Sequence, residues 1–193
     1  MLVYDLEIVK AIPDRKSPPI EGIQYCEGWQ DHTNMGVACL CAYDYMTDRY
    51  RVFTERNLQE FVILSQERLL IWFNSISFDD KVVNAAVPEA MGAVQSGYDI
   101  LVEMWIAAGL APVFQMGTHG GFGLDATAAR NLGTKKTGSG ALAPVSWQRG
   151  QIGAVIDYCM EDVRLTRKLL DKILRGGKLL DPRGGGELKL RRP

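Results

Sequence analysis

The sequence predicts an α/β fold with a mixed central sheet, part antiparallel meander and part parallel, covered by helices. Three observations predict it. The chain opens with an alternating apolar/polar strand, and two further β-rich segments joined by a short connection follow. From residue 57 onward, helical periodicity alternates with short apolar strands. A long amphipathic helix then precedes the C-terminal tail.

Residues 1–9 read as the first strand, with Leu2, Tyr4, Leu6 and Ile8 on one face and Val3, Asp5, Glu7 and Val9 on the other. Residues 11–34 hold three prolines, two glycines and mixed charges and predict a long irregular excursion. The segments 35–45 and 49–54, joined through Met46–Asp48, predict a hairpin. Leu58, Phe61, Val62 and Ser65 give residues 57–69 helical spacing, and Leu69 to Phe73 reads as a short buried strand. A helix is expected from Asp79 to Val87, stopped by Pro88. Tyr98 to Leu101 reads as a strand leading into a helix that ends near Gly109, and Leu124 to Leu132 as a short helix. Lys135 to Gly140 is a basic, glycine-rich loop. The final helix spans Ile152 to Leu174 and ends at Gly176–Gly177. Residues 1–175 are expected to form one domain, and 176–193 a basic tail or small hairpin.

Composition narrows the class. A chain of 193 residues accommodates one domain with a sizeable core. Its apolar runs, such as Leu69–Phe73, fall far short of the ~18 residues a bilayer span needs, and its start has no secretory pattern. A cytoplasmic location without membrane contact is expected. Four cysteines, at 26, 39, 41 and 159, include no CxxC pair, and His32 and His119 are isolated. Cys39 and Cys41 alternate along a strand and read as core thiols, so neither a zinc site nor a disulfide framework is expected. The net charge of −1 gives no strong electrostatic signature for nucleic acid, though a carboxylate-rich metal site itself lowers net charge.

The informative residues are acids in unusual places. Asp5 and Glu7 point to the same face of one strand, ~6.6 Å apart along it, where they repel unless a cation lies between them. A solvated edge strand would also accommodate them. In the last helix Asp157, Glu161, Arg164, Lys168, Asp171 and Arg175 form a charged stripe. Asp162 falls off that stripe, roughly 140° from Asp157 at ~100° per residue, and aligns with Tyr158, Leu165 and Leu169. A carboxylate there is costly unless paired, metal-bound or able to reach water. Tyr158 lies one turn before it, as a water-orienting phenol or a core tyrosine. Ser77 and Asp80 have the spacing of a capping box, which leaves Asp79 without a capping role. Asp99 and Asp125, near helix starts, read as caps.

Three motifs in order resemble those of the DEDD (DnaQ-like) 3′→5′ exonuclease superfamily. The first, Asp-x-Glu, stands as Asp5-Leu6-Glu7. The second, Asn-x-x-x-(Phe/Tyr)-Asp, stands as Asn74-Ser-Ile-Ser-Phe78-Asp79. The third, Tyr-x-x-x-Asp, stands as Tyr158-Cys-Met-Glu-Asp162 and places the resemblance in the tyrosine branch, because the histidine branch's position is Asp157. The spacing of the second motif is similar to that of the proofreading domain of family B DNA polymerases. The excursion at 11–34 is longer than a minimal family member needs.

The resemblance implies a ribonuclease-H-like fold and two divalent ions, Mg²⁺ or Mn²⁺, held by oxygen ligands. By analogy Asp5 bridges both ions, Glu7 and Asp162 complete one site, and Asp79 supports the second. Tyr158 positions the attacking water, and a nucleoside 5′-monophosphate leaves from a 3′ end. Nucleic acid is the implied partner, DNA favoured over RNA and single-stranded, with replication or repair proteins as further partners. Asn74 and Phe78 come with the motif as substrate contacts. Lys135 and Lys136 in the glycine-rich loop, and Trp147 and Arg149 before the last helix, are further candidates for phosphate or base contact, although solvated loops account for them as well. The rival readings are a structure-specific endonuclease on the same fold and a non-catalytic nucleic-acid-binding module.

Overall fold

A computed structural model describes residues 1–14, 16–74, 78–87, 97–134 and 140–193. Five strands, β1 (Leu2–Ile8), β2 (Val37–Asp44), β3 (Arg49–Phe53), β4 (Leu70–Trp72) and β5 (Gly97–Asp99), form one sheet in the order β3-β2-β1-β4-β5. β1 pairs antiparallel with β2, and β2 with β3, whereas β1–β4 and β4–β5 are parallel. The α/β class and the mixed sheet are those the sequence predicts. β3 forms one edge, and its exposed Arg49 and Arg51 discourage edge pairing. β5, at the other edge, is only three residues long.

Alternation along β1 divides the core. Leu2, Tyr4, Leu6 and Ile8 join Leu40, Leu70 and Trp72 with helix α2 (Leu58–Gln66) and helix α3 (Asp79–Ala86) on one side of the sheet. Val3 joins Cys39, Cys41 and Ile71 on the opposite side. That side is covered by α4 (Ile100–Ala107), α5 (Leu124–Leu132), α6 (Ala143–Gln148) and α7 (Ile152–Gly176). At 25 residues and ~1.5 Å per residue, α7 extends roughly 37 Å across β1 and β2. Its charged stripe faces solvent, as the periodicity predicts, and Gly177 ends it in the left-handed region with φ 65°.

The structure differs from the sequence reading at several element ends, and it adds two short helices, one inside the excursion and α6 ahead of α7. The strand expected over 98–101 stops at Asp99, because that side chain caps α4 by accepting hydrogen bonds from the backbone N–H groups of Leu101 (2.9 Å) and Val102 (3.4 Å). Asp125 is not a cap. It lies in the first turn of α5 behind Gly123, where its charge suits the helix dipole. The N-cap of α3 is Phe78, and Asp80 accepts a hydrogen bond from the Tyr4 hydroxyl. Ser77, Pro88, Lys135 and Lys136 lie outside the described residues. Within the excursion a single turn of helix, α1 (His32–Met35), and an isolated bridge between Ala11 and Tyr25 appear. No described helix is long and apolar enough to cross a membrane.

Residues 178–193 fold back on the main body. β6 (Lys178–Leu180) and β7 (Glu187–Lys189) pair as a hairpin, and Leu179, Leu188 and Leu190 enter the α7 side of the core. Its basic residues are largely engaged: Arg183 bonds Asp181 and stacks over Phe122, Lys178 meets Glu187, and Arg191 grips Glu103 with two bonds of 3.0 and 2.7 Å.

Candidate functional site

The site begins with strand register. Asp5 lies opposite Cys41 and Glu7 opposite Cys39, so these four side chains share the α7 face of the sheet. The β1–β2 register shifts between Glu7 and Ile8. A bulge directly after an acid bends the strand and re-aims its side chain. α7 crosses above and lowers Asp162 toward the pair. Asp5, Glu7 and Asp162 each offer a carboxylate oxygen, and the three oxygens lie within 4.8 Å of one another. Glu7 and Asp162 are 8 and 4 % exposed. Asp162 is thus buried on the apolar stripe of α7, where the sequence places it.

Asp79, the first residue of α3, is also buried. It stands outside the tight triad but, with Glu7, lines one cavity of ≈ 700 Å³. This cavity lies at the carboxyl end of β1, the usual place for ligand crevices in open α/β sheets. Tyr158 is half-buried, and a Cβ built on the cavity residue Gly140 would fall 3.3 Å from its hydroxyl oxygen, so the phenol reaches the cavity wall.

The remaining wall is mostly apolar. Leu6 and Ile8 contribute from β1, Ala141 and Pro144 from the approach to α7, and Ile12 and Pro13 from the excursion. Two aromatic rings complete it. Phe78 meets Trp29 edge-on at 5.8 Å between centroids, and Trp29 is 67 % exposed. Lys16 adds a cation to the rim. Gln148 of α6 helps to tether the excursion: its amide donates to the carbonyls of Val9 (2.9 Å) and Gln24 (3.0 Å) and accepts from the Gln24 N–H (2.7 Å).

The other candidate residues are distributed as follows. Phe78 lines the cavity. Asn74 is exposed after β4 with φ 72°, and its backbone N–H donates to Asp99 at 3.0 Å, which fixes the turn out of the strand. Burial raises the Asp99 carboxyl above the usual carboxylate range, against the opposing pull of its N–H donors. Trp147 is half-buried against the core, and Arg149 is exposed at the end of α6. Neither is among the described residues that line the cavity.

Two features escaped the sequence reading. One is the excursion wall with Trp29 and Lys16, for which a tryptophan in an otherwise polar, proline-containing stretch is the sole sequence signal. The other is a second cluster of three residues. Cys159 of α7 meets Cys39 and Cys41, and their sulfurs also lie within 4.8 Å of one another. All four cysteines are free. Burial pushes the Cys159 thiol well above its ordinary range, and the neighbouring thiols and the charge of Asp5 act in the same direction.

No protein-family model matches this chain, and no curated protein shows significant similarity to it. The functional reading therefore rests on the residues themselves.

Proposed function

We propose that this protein is a metal-dependent 3′→5′ exonuclease with a ribonuclease-H-like fold that removes nucleoside 5′-monophosphates from single-stranded nucleic acid, DNA in preference to RNA. The observation that carries the proposal is the convergence of Asp5, Glu7 and Asp162 within 4.8 Å beside a cavity that Glu7 shares with Asp79. The strand order 3-2-1-4-5 is compatible with the fold and supports the reading.

The donor set fits hard divalent cations. Every donor is a carboxylate oxygen, which suits Mg²⁺ or Mn²⁺ rather than a thiophilic ion. Asp5, Glu7 and Asp162 would hold the ions, with Asp79 supporting from the cavity wall. Bound there, such ions polarise phosphate oxygens and lower the pKa of water. The chain's own groups do the remainder. Tyr158, with its hydroxyl at the cavity wall, orients the attacking water. The apolar wall excludes bulk water from the scissile phosphodiester. Trp29 and Phe78 offer ring faces and edges to an unstacked terminal base, and Lys16 offers charge to a phosphate. Water attacks phosphorus, the P–O3′ bond breaks, and the 3′ oxygen departs with a proton.

The test is a gel of end-labelled oligomers with Mg²⁺, Mn²⁺ or chelator. A 5′-labelled DNA strand should shorten stepwise, a 3′-labelled strand should release labelled mononucleotide, and chelator should stop both. Cutting of circular or 3′-blocked DNA would point instead to the endonuclease reading. Metal binding with no turnover on any oligomer would point to a binding module.

Trp29 gives a second expected result. Base–aromatic stacking is worth ~1–3 kcal/mol, so Trp29→Ala should raise KM by roughly 5- to 150-fold on single-stranded DNA. Because stacking holds ground state and transition state alike, kcat should change by less than about twofold. Steady-state kinetics separate the two; a loss confined to kcat would remove Trp29 from substrate binding.

A further inference from the structure

The thiol cluster is the feature that the nuclease reading leaves unused. Cys39 and Cys41 project from β2 and Cys159 from α7, all three fully buried with their sulfurs within 4.8 Å of one another. A pyramidal three-coordinate centre with bonds to sulfur of ~2.3 Å and angles near ~100° sets its sulfurs ~3.5 Å apart, inside that ceiling. The group contains no histidine or carboxylate, so its donors are uniformly soft. We propose that Cys39, Cys41 and Cys159 form a closed three-thiolate site for one soft, three-coordinate trivalent ion, with trivalent arsenic as the representative ligand.

Charge selects the valence. Three thiols that surrender their protons to a monovalent ion leave a net charge of −2, to a divalent ion −1, and to a trivalent ion none. Across β1–β2 the neighbours of Cys41 and Cys39 are Asp5 and Glu7. A residual negative charge would therefore be both desolvated and set against carboxylates. Arsenous acid meets the requirement. Three As–S bonds form as three As–OH bonds break, each thiol proton leaves with a hydroxyl as water, and no atom changes oxidation state. The reagent is itself small and neutral, so it loses little hydration as it enters a closed core.

Occupancy would bear on the neighbouring carboxylates. The Cys159 S–H donates to the backbone carbonyl of Asp5 at 3.3 Å. Forming an As–S bond removes that donor and ties α7 to β2 beneath Asp5, Glu7 and Asp162.

The inference is independent of any nuclease activity, and so is its test. The reduced 193-residue chain is incubated with arsenite and read by native mass spectrometry and arsenic X-ray absorption. Expected are one arsenic per chain, a mass gain of one arsenic less three hydrogens, three sulfur scatterers and no oxygen scatterer. Cys39→Ala, Cys41→Ala and Cys159→Ala should each weaken uptake at least about tenfold, and Cys26→Ala should leave it unchanged. Zn²⁺ should bind more weakly than arsenite at equal concentration. No uptake by the folded chain, fewer than three As–S bonds, or equal dependence on Cys26 would overturn the proposal. The absorption spectrum of the unsubstituted chain decides the matter even if a variant fails to fold.

Discussion

Asp162→Asn is expected to lower hydrolysis by at least ~10²–10³-fold, the scale on which removal of one preorganised charge-stabilising group acts. The same substitution should stabilise the metal-free protein. Asp162 is 4 % exposed and shares a 4.8 Å cluster with Asp5 and Glu7. Two unit charges at that separation repel by roughly 3 kcal/mol at an effective dielectric of ~20, before screening. Asparagine removes one charge and keeps the shape. Thermal unfolding should therefore start from a higher midpoint in chelator and gain less from added Mg²⁺ or Mn²⁺, because ligand-linked stabilisation requires binding to the native state. Activity assays and unfolding scans with and without metal check both halves. A variant that hydrolyses DNA normally would remove Asp162 from the site. A variant that loses activity and also unfolds earlier in chelator would make Asp162 a structural acid instead.

This opposition between function and apo stability explains why the acids were legible in sequence and their surroundings less so. Asp162 was readable because a carboxylate on the apolar stripe of a 25-residue helix breaks a strong periodic pattern. Asp5 and Glu7 were readable because strand alternation fixes which residues share a face. The sheet's two halves followed from the change from meander to alternating helix and strand. What periodicity cannot give is which face meets which. Cys39 and Cys41 were placed on one side of a strand, but their meeting with Cys159 depends on α7 crossing β2, a contact between residues over a hundred positions apart. The excursion is similar. Its wall depends on Gln148, an amide between the two residues, Trp147 and Arg149, that drew attention as substrate contacts. Its role as a clasp is a matter of tertiary geometry. Asp125 looked like a cap because acids favour helix starts, yet a first-turn acid gains from the dipole without bonding a backbone N–H.

Gly97→Ala should be among the most damaging single substitutions to stability in this chain, although nothing in the sequence around Ser96-Gly97-Tyr98 marks the glycine as special. In β5 Gly97 pairs with Leu70 of β4. A Cβ there would fall 2.1 and 2.3 Å from the Trp72 ring and 2.6 Å from the Leu70 carbonyl oxygen. The tryptophan is 2 % exposed and packs edge-on against Tyr4 at 5.7 Å, so it has little room to retreat. The carbonyl belongs to the strand and moves only with it. Overpacking costs ~1–3 kcal/mol where side chains yield, and the backbone clash sets this case at ~3 kcal/mol or above. For a chain of this size that lowers Tm by roughly 6–12 °C. The disturbance should also reach the site, because β5 ends in Asp99, which caps α4 and holds the Asn74 N–H at the turn after β4. Loss of that anchor releases the Asn74 turn after β4, on the side of the sheet's end where the site lies, and hydrolysis should fall at temperatures well below the new midpoint. Thermal unfolding and activity measured across one temperature series test the coupling. A Gly97→Ala protein with an unchanged midpoint would mean that β5 does not lie where the pairing with β4 puts it.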